Sequence, residues 1–259
     1  IEIIPNQRIE KGLEKLTVDE KDLFYSSSQT YPYHNIILSE PMIMRDIVLS
    51  NVSVVPFKYH PDEKRLEVYQ SINIEITEIG ESEDIRRRIM PKSKVFENIY
   101  KKSIINYETD LRDGRDYQQS AVLYIGPSSA ISNSTFLDLV EWRRQRGYVV
   151  YTATTSQTGS SASSIKNYIE DAYDNFDPAP EYVSLIGDVG GSYSIPTYYE
   201  GFGHNSYGNE CEGDHPYSQL DGNDLLPEVL IGRMSIRSSS ELTTVVYKIL
   251  NYEKATYLD

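Results

Sequence analysis

A chain of 259 residues with 39% apolar side chains is long enough for one large or two modest packed domains. No apolar run reaches the ~18 residues of a membrane-spanning helix, so no membrane span is expected. The net charge of −14 is unevenly spread: residues 1–117 carry 17 basic and 21 acidic side chains, 118–259 carry 8 and 18, and between Lys166 and Arg233 stand 13 carboxylates with no Lys or Arg. Such a field repels nucleic-acid phosphates and attracts cations, which excludes nucleic acid as an expected partner.

The opening Ile1-Glu2-Ile3-Ile4-Pro5 is neither a signal peptide nor an initiator, so a processed or cut chain is expected. Residues 1–80 alternate in the two-residue period of half-buried strands and predict a mainly antiparallel β domain. Leu66 to Tyr69 and Ile72 to Ile76 read as one strand, Val52 to Tyr59 as its partner, and His60-Pro61-Asp62-Glu63-Lys64 as the turn between them. Residues 81–118 break into charged runs and predict a connecting segment with one short helix near Val95 to Lys102. Its basic runs read either as a solvated face or as an exposed stretch open to proteolysis, with Arg112 and Arg115 as candidate processing positions.

From residue 119 the period changes. Ala121 to Ile125 is a short apolar run closed by Gly126-Pro127, as a buried strand should be. A helix follows, capped by Asn133 or Ser134, apolar at Phe136, Leu139, Val140 and Trp142, and stopped at Gly147; Arg143, Arg144 and Arg146 read as its solvated face. Further strands are predicted at Tyr148 to Tyr151, Tyr182 to Ile186 and Val229 to Ile231, with helices near 160–175 and after Ser238. The alternation implies an α/β domain over 119–259, a parallel sheet with helices on both faces. Four strands are few for such a domain, so the rest of the sheet is expected to lie elsewhere.

In an open parallel sheet ligands bind beyond the carboxyl ends of the strands, and two acidic groups expected there are candidates for cation binding. Asp188 closes Leu185-Ile186-Gly187-Asp188, and Asp221-Gly222-Asn223-Asp224-Leu225-Leu226-Pro227-Glu228 precedes the fourth strand. Calcium takes six to eight oxygens from carboxylates and carbonyls. Carboxylates of Asp224 and Glu228 with carbonyls of Asp221 and Leu226 could surround one ion, Gly222 allowing the curl; on the residues alone, Asp-Gly-Asn-Asp is most often a plain turn. Cys211, the single cysteine, has His204 and His215 nearby in sequence. Glu210, Glu212 and Asp214 around it disfavour a thiolate, so it reads as an ordinary loop thiol. The Gly126-Pro127-Ser128-Ser129 turn lacks the glycine spacing of a phosphate loop, and no Gly-x-Ser-x-Gly elbow occurs.

The segments Phe136 to Gly147, Val183 to Asp188, Asp214 to Asp224 and Pro227 to Arg233, in that order, resemble the amino-terminal subdomain of gingipain-type cysteine peptidases of family C25. The stretches Glu40-Pro41 to Arg45, Val55 to Tyr59 and Leu66 to Tyr69 resemble the propeptide of that family. The resemblance implies a caspase-like half domain behind a β-rich pro-domain, in a secreted bacterial proenzyme that cleaves peptide bonds with a Cys and His dyad. The family's Gly-His-Gly and Ala-Cys contexts do not occur here, so the dyad is expected on a missing carboxyl-terminal catalytic subdomain that meets the protein substrates. The resemblance also implies calcium, held by Asp221 and Leu226 through carbonyls, by Asp224 and Glu228 through carboxylates, and less directly by Asp188. The alternative from another class is a non-catalytic, calcium-stabilised surface or assembly module of the same fold.

Overall fold

The computed structural model describes residues 29–77, 90–107, 116–200 and 211–255, and Arg112, Arg115 and His204 lie outside them. Among the described residues the chain divides into two compact units, one of 29–41 and 49–77 and the other of 42–48, 90–107, 116–200 and 211–255. Expected boundaries at 80 and 118 therefore differ from the compact units. Residues 42–48 and 90–107 fold with the α/β segment, for reasons that lie in Arg45.

The first unit is antiparallel β, in shorter pieces than the alternation predicts. Strand β1 (Ile36–Leu38) meets β4 (Val52–Val54), with Ile36 opposite Val54. β5 (Phe57–His60) pairs with β6 (Arg65–Val68), across a turn at Pro61 to Lys64. The expected single strand from Val52 to Tyr59 thus breaks at Val55-Pro56. Proline has no N–H for the ladder, so the chain changes partners there. Asn35 bridges the break, its side-chain amide donating at 2.9 Å to the carbonyls of both Val55 and Phe57. The Ile72 to Ile76 run joins no strand, because alternation specifies a face and not a partner.

β2 (Met42–Met44) and β3 (Ile47–Leu49) form a two-stranded hairpin turning on Arg45-Asp46, and all of it but Leu49 belongs to the second unit. Helix α1 (Lys94–Ser103) starts at Ser93, whose hydroxyl accepts from the Phe96 amide, and buries Phe96 and Tyr100. β7 (Ala121–Gly126), β8 (Val149–Thr154), β9 (Tyr182–Ile186) and β12 (Leu230–Met234) make a wholly parallel sheet in the order β12-β9-β7-β8. The strand-helix alternation from residue 119 is therefore realised as the sequence predicts, with the fourth strand running three residues further.

Period-two alternation sends Leu123, Ile125, Val183 and Leu185 to one face, where α5 (Ala162–Asn175) covers them with Ile165, Ile169 and Tyr173. It sends Val122, Tyr124 and Ile186 to the other, where α3 (Ser134–Gln145) supplies Phe136, Leu139 and Val140, and α6 (Ser239–Lys254) supplies Leu242, Val246 and Leu250. Short helices α2 (Ser128–Ile131) and α4 (Thr155–Thr158) follow β7 and β8. β7 is buried along its whole length, which explains why its sequence shows no alternation of polarity. Asn133, Ser161 and Ser238 cap their helices by accepting amides of the first turn, and Gly147 sits at φ 87°, where a left-handed stop needs glycine. The expected solvated arginine face is only partly so: Arg143 is drawn to α6, where Glu253 accepts it at 2.5 and 2.8 Å and also accepts Trp142 Nε1.

Leu185→Ala, at a fully buried position of the central face, should cost about 2–5 kcal/mol, whereas the exposed Val68→Ala should change stability by no more than about 0.5 kcal/mol. Urea denaturation of each variant, followed by circular dichroism, measures the difference.

Candidate functional site

The two ends of the parallel sheet carry different chemistry. Leu230 pairs with Tyr182 and Met234 with Ile186, so the segment entering β12 lies at the amino edge and the segment leaving β9 at the carboxyl edge. The acidic octet 221–228 is therefore at the amino edge. Asp188 is at the other, beyond the five residues of β9, or ~16 Å of strand. The expectation that both acidic groups share the carboxyl ends is corrected by this register: a segment entering a parallel strand cannot lie where the strand exits. Asp188 Oδ2 accepts Arg237 Nε at 2.5 Å, Oδ1 accepts the Val189 amide, and Arg237 holds its carboxyl below the usual carboxylate range.

The octet is folded back by the turn before it. His215–Ser218 form a 3-10 turn with Pro216 at its start; buried Tyr217 donates to the Pro196 carbonyl at 2.7 Å, and the Glu228 amide donates to the Ser218 carbonyl. Arg233 fixes the same turn from β12, donating at 2.7 Å to both oxygens of Asp214 and to the carbonyls of Gly187, Ile195 and Pro196. The pairing of Asp214 with Arg233 has no local signature in the sequence, the two lying 19 residues apart.

Within the loop, backbone amides organise both carboxylates. Asp224 Oδ1 accepts the Leu226 amide and Oδ2 the Ile43 amide, each at 2.7 Å. Glu228 Oε2 accepts the amides of Leu220 at 2.6 Å and Asp221 at 3.1 Å. Gly222 lies at φ 71°, and a Cβ there would stand 2.8 Å from Asp224 Oδ2, so glycine is required on two counts. The Asp224 carbonyl takes Gln219 Nε2 and the Leu225 carbonyl takes His215 Nε2, whereas the carbonyls of Asp221 and Leu226 accept no hydrogen bond among the described residues. His215 is thereby engaged in shaping the loop. Cys211 opens β11 (Cys211–Gly213), paired with β10 (Tyr198–Glu200).

Among the described residues, the buried side-chain atoms without a hydrogen-bond partner are four: Arg45 Nε, both carboxylate oxygens of Glu181, and Glu228 Oε1. All belong to residues at the amino edge: the Glu181 carbonyl accepts the Leu230 amide, and the Glu228 carbonyl accepts Arg45. Unsatisfied buried groups are costly, so their concentration in one place marks a site. No group of three or more His, Cys, Asp or Glu side chains gathers as a metal ligand set among the described residues, so a cation at this edge would have to draw on carbonyl oxygens as well. Two carboxylates with two unengaged carbonyls suit a hard cation, and the unpartnered Glu228 oxygen fits such an ion.

Burial drives the Glu228 carboxyl up to about 7, the amides of Leu220 and Asp221 opposing it and the charges of Asp224 and Asp221 reinforcing it. The folded state then holds a proton that the unfolded chain, near 4.5, releases. Stability from this group is complete below pH ~4.5 and is lost as pH rises to about 7, by up to about 3 kcal/mol. In chelator, wild-type stability should fall between pH 4.5 and 7 and Glu228→Gln should lack that fall; denaturant midpoints across the range test it.

The model for the C25 propeptide (Propeptide_C25) matches residues 3–113, and that for Peptidase family C25 matches residues 115–259. Gingipain R2 of Porphyromonas gingivalis is 27% identical over 235 residues, covering 89% of this chain and 30% of that protein. A Lys-gingipain of the same organism is 27% identical over 226 residues, covering 83% and 12%. The chain thus spans less than a third of the length of these curated relatives. Similar solved structures include a complex of Porphyromonas gingivalis RgpB pro- and mature domains, 26% identical with TM-score 0.44, covering 51% of this chain and 29% of that one. Another is the Arg-specific cysteine proteinase gingipain R, 25% identical with TM-score 0.43, covering 52% and 28%. With the propeptide and peptidase matches adjoining in one sequence, and the second spanning more than half of it, the chain belongs to peptidase family C25.

Proposed function

We propose that the chain is the pro-region and first subdomain of a secreted cysteine endopeptidase precursor. The observation that carries this reading is the order of the two family matches, propeptide at 3–113 and peptidase at 115–259. On it, residues 1 to about 113 assist folding and restrain activity until cleavage at Arg112 or Arg115, and the dyad and substrate pocket come from sequence beyond residue 259. Protein substrates are met by that further part. No helix of the described residues is long and apolar enough to cross a membrane.

The amino-edge octet then acts as a structural calcium site, with carboxylates from Asp224 and Glu228 and carbonyls from Asp221 and Leu226. The chemistry calcium supplies there is neutralisation of converging acids and the missing partner for Glu228 Oε1. Asp188 stays outside this set, paired with Arg237 at the other edge. The chain's own contribution is orientation: the amides of Leu226, Leu220 and Asp221 fix the two carboxylates, and Gly222 lets the loop curl without colliding with Asp224.

Two measurements test the reading. Calcium at about 100 times its Kd should raise the melting midpoint by roughly 5–10 °C over chelator, and Asp224→Asn with Glu228→Gln should abolish the rise; an unchanged wild-type midpoint removes the ion. A chain extended past residue 259 should cleave peptide substrates in a thiol-dependent way that residues 1–259 do not. An extended chain with neither dyad nor activity would favour the non-catalytic module.

A further inference from the structure

Arg45 is the largest fully buried side chain among the described residues, and no carboxylate pairs with it there. Its Nη1 donates to the carbonyls of Pro180 at 3.0 Å and Glu228 at 2.9 Å, and its Nη2 to the Ala179 carbonyl and Gln118 Oε1, each at 3.3 Å. The guanidinium lies 5.2 Å from the Phe96 ring centre and 5.5 Å from that of Tyr173, whose hydroxyl donates to the Arg45 carbonyl. Next to it Tyr100 reaches the Met44 carbonyl and the Asp46 carboxylate, both at 2.9 Å. The backbone at Arg45 is left-handed, φ 55°, a conformation a non-glycine residue adopts at a cost.

The donors and acceptors fall on opposite sides of one boundary. Arg45 belongs to the segment matched by the propeptide, whereas Gln118, Tyr173, Ala179, Pro180 and Glu228 belong to the segment matched by the peptidase. Three converging carbonyls, an amide oxygen and an aromatic face make a socket specific for a planar, multiply donating cation. Lysine could not engage several acceptors in one plane, and a neutral side chain would leave those carbonyls buried and unpaired.

We propose that Gln118, Tyr173, Ala179, Pro180 and Glu228 form a guanidinium-binding site of the peptidase subdomain. Its occupant is Arg45 of the pro-region, which holds the pro-region in place after the chain is cut between the two segments. The proposal takes only the name pro-region from the function above, and the cut is engineered, so natural processing and catalysis do not enter.

The test uses the full chain with the recognition sequence of a specific protease placed within 108–115. After cutting, the wild-type amino-terminal fragment should co-elute with the remainder through gel filtration, and its release on dilution should be slow. Arg45→Met, which keeps the apolar stem, and Arg45→Lys, which keeps the charge, should each weaken retention by at least about 100-fold. Retention equal to wild type in either variant overturns the proposal. Should a variant fail to fold before cutting, judged by circular dichroism, competition on the cut wild-type chain decides instead. N-acetyl-argininamide should speed release of the fragment and the citrulline analogue should not; equal effects of the two overturn the site. Loss of the calcium response in the same samples would strike only the octet reading.

Discussion

A full positive charge buried with no carboxylate partner among the described residues must be satisfied by dipoles, and Arg45 imposes that demand on the amino edge of the sheet. Its guanidinium requires carbonyls from the approach to β9 and from the approach to β12 at the same point. Those carbonyls can converge only if β9 and β12 are neighbours in register, as the Leu230 to Tyr182 pairing makes them. The hairpin that carries Arg45 also supplies the Ile43 amide that orients Asp224, so the charge and the acidic loop are built as one arrangement. A salt bridge would have been the simpler solution, but carbonyl and ring contacts keep the loop's carboxylates uncommitted to Arg45.

The two edges of the sheet divide their electrostatics. At the carboxyl edge, acids and arginines pair directly: Asp214 with Arg233 at 2.7 Å and Asp188 with Arg237 at 2.5 Å. At the amino edge, Asp224 and Glu228 are bound by backbone amides and Arg45 by carbonyls, and among the described residues the carboxylate of Glu181 and one oxygen of Glu228 are buried without a hydrogen-bond partner. The edges thus differ in how charge is held, by direct ion pairs at one and by backbone dipoles at the other.

Much of this was legible in the residues. Tyr182 to Ile186 is a strand with the bounds its apolar run suggests, and Asn133, one of the two caps the sequence offers for its helix, accepts the Phe136 amide. The octet was visible as a cluster because its members are contiguous. What sequence did not show is long-range. Pro56 signals an interruption but not that the strand changes partners, and Ile72 to Ile76 alternates with no strand to meet. Nothing in the residues around Arg45 reveals its socket, because the acceptors lie 73 to 183 positions away. Asp188 was grouped with the octet by charge, and only the parallel register separates them.

The distance in sequence between Arg45 and its acceptors sets an order of events at birth. The residue leaves the ribosome long before Pro180, 135 positions on, and Glu228, 183 positions on. Until both have emerged, the guanidinium must remain in water, because a half-built socket cannot repay its desolvation. The acceptor set of Arg45 is therefore completed only when Glu228 arrives. A nascent chain interrupted between residues 180 and 228 holds the arginine, most of the sheet and three of the four acceptors, yet lacks the Glu228 carbonyl that completes the set.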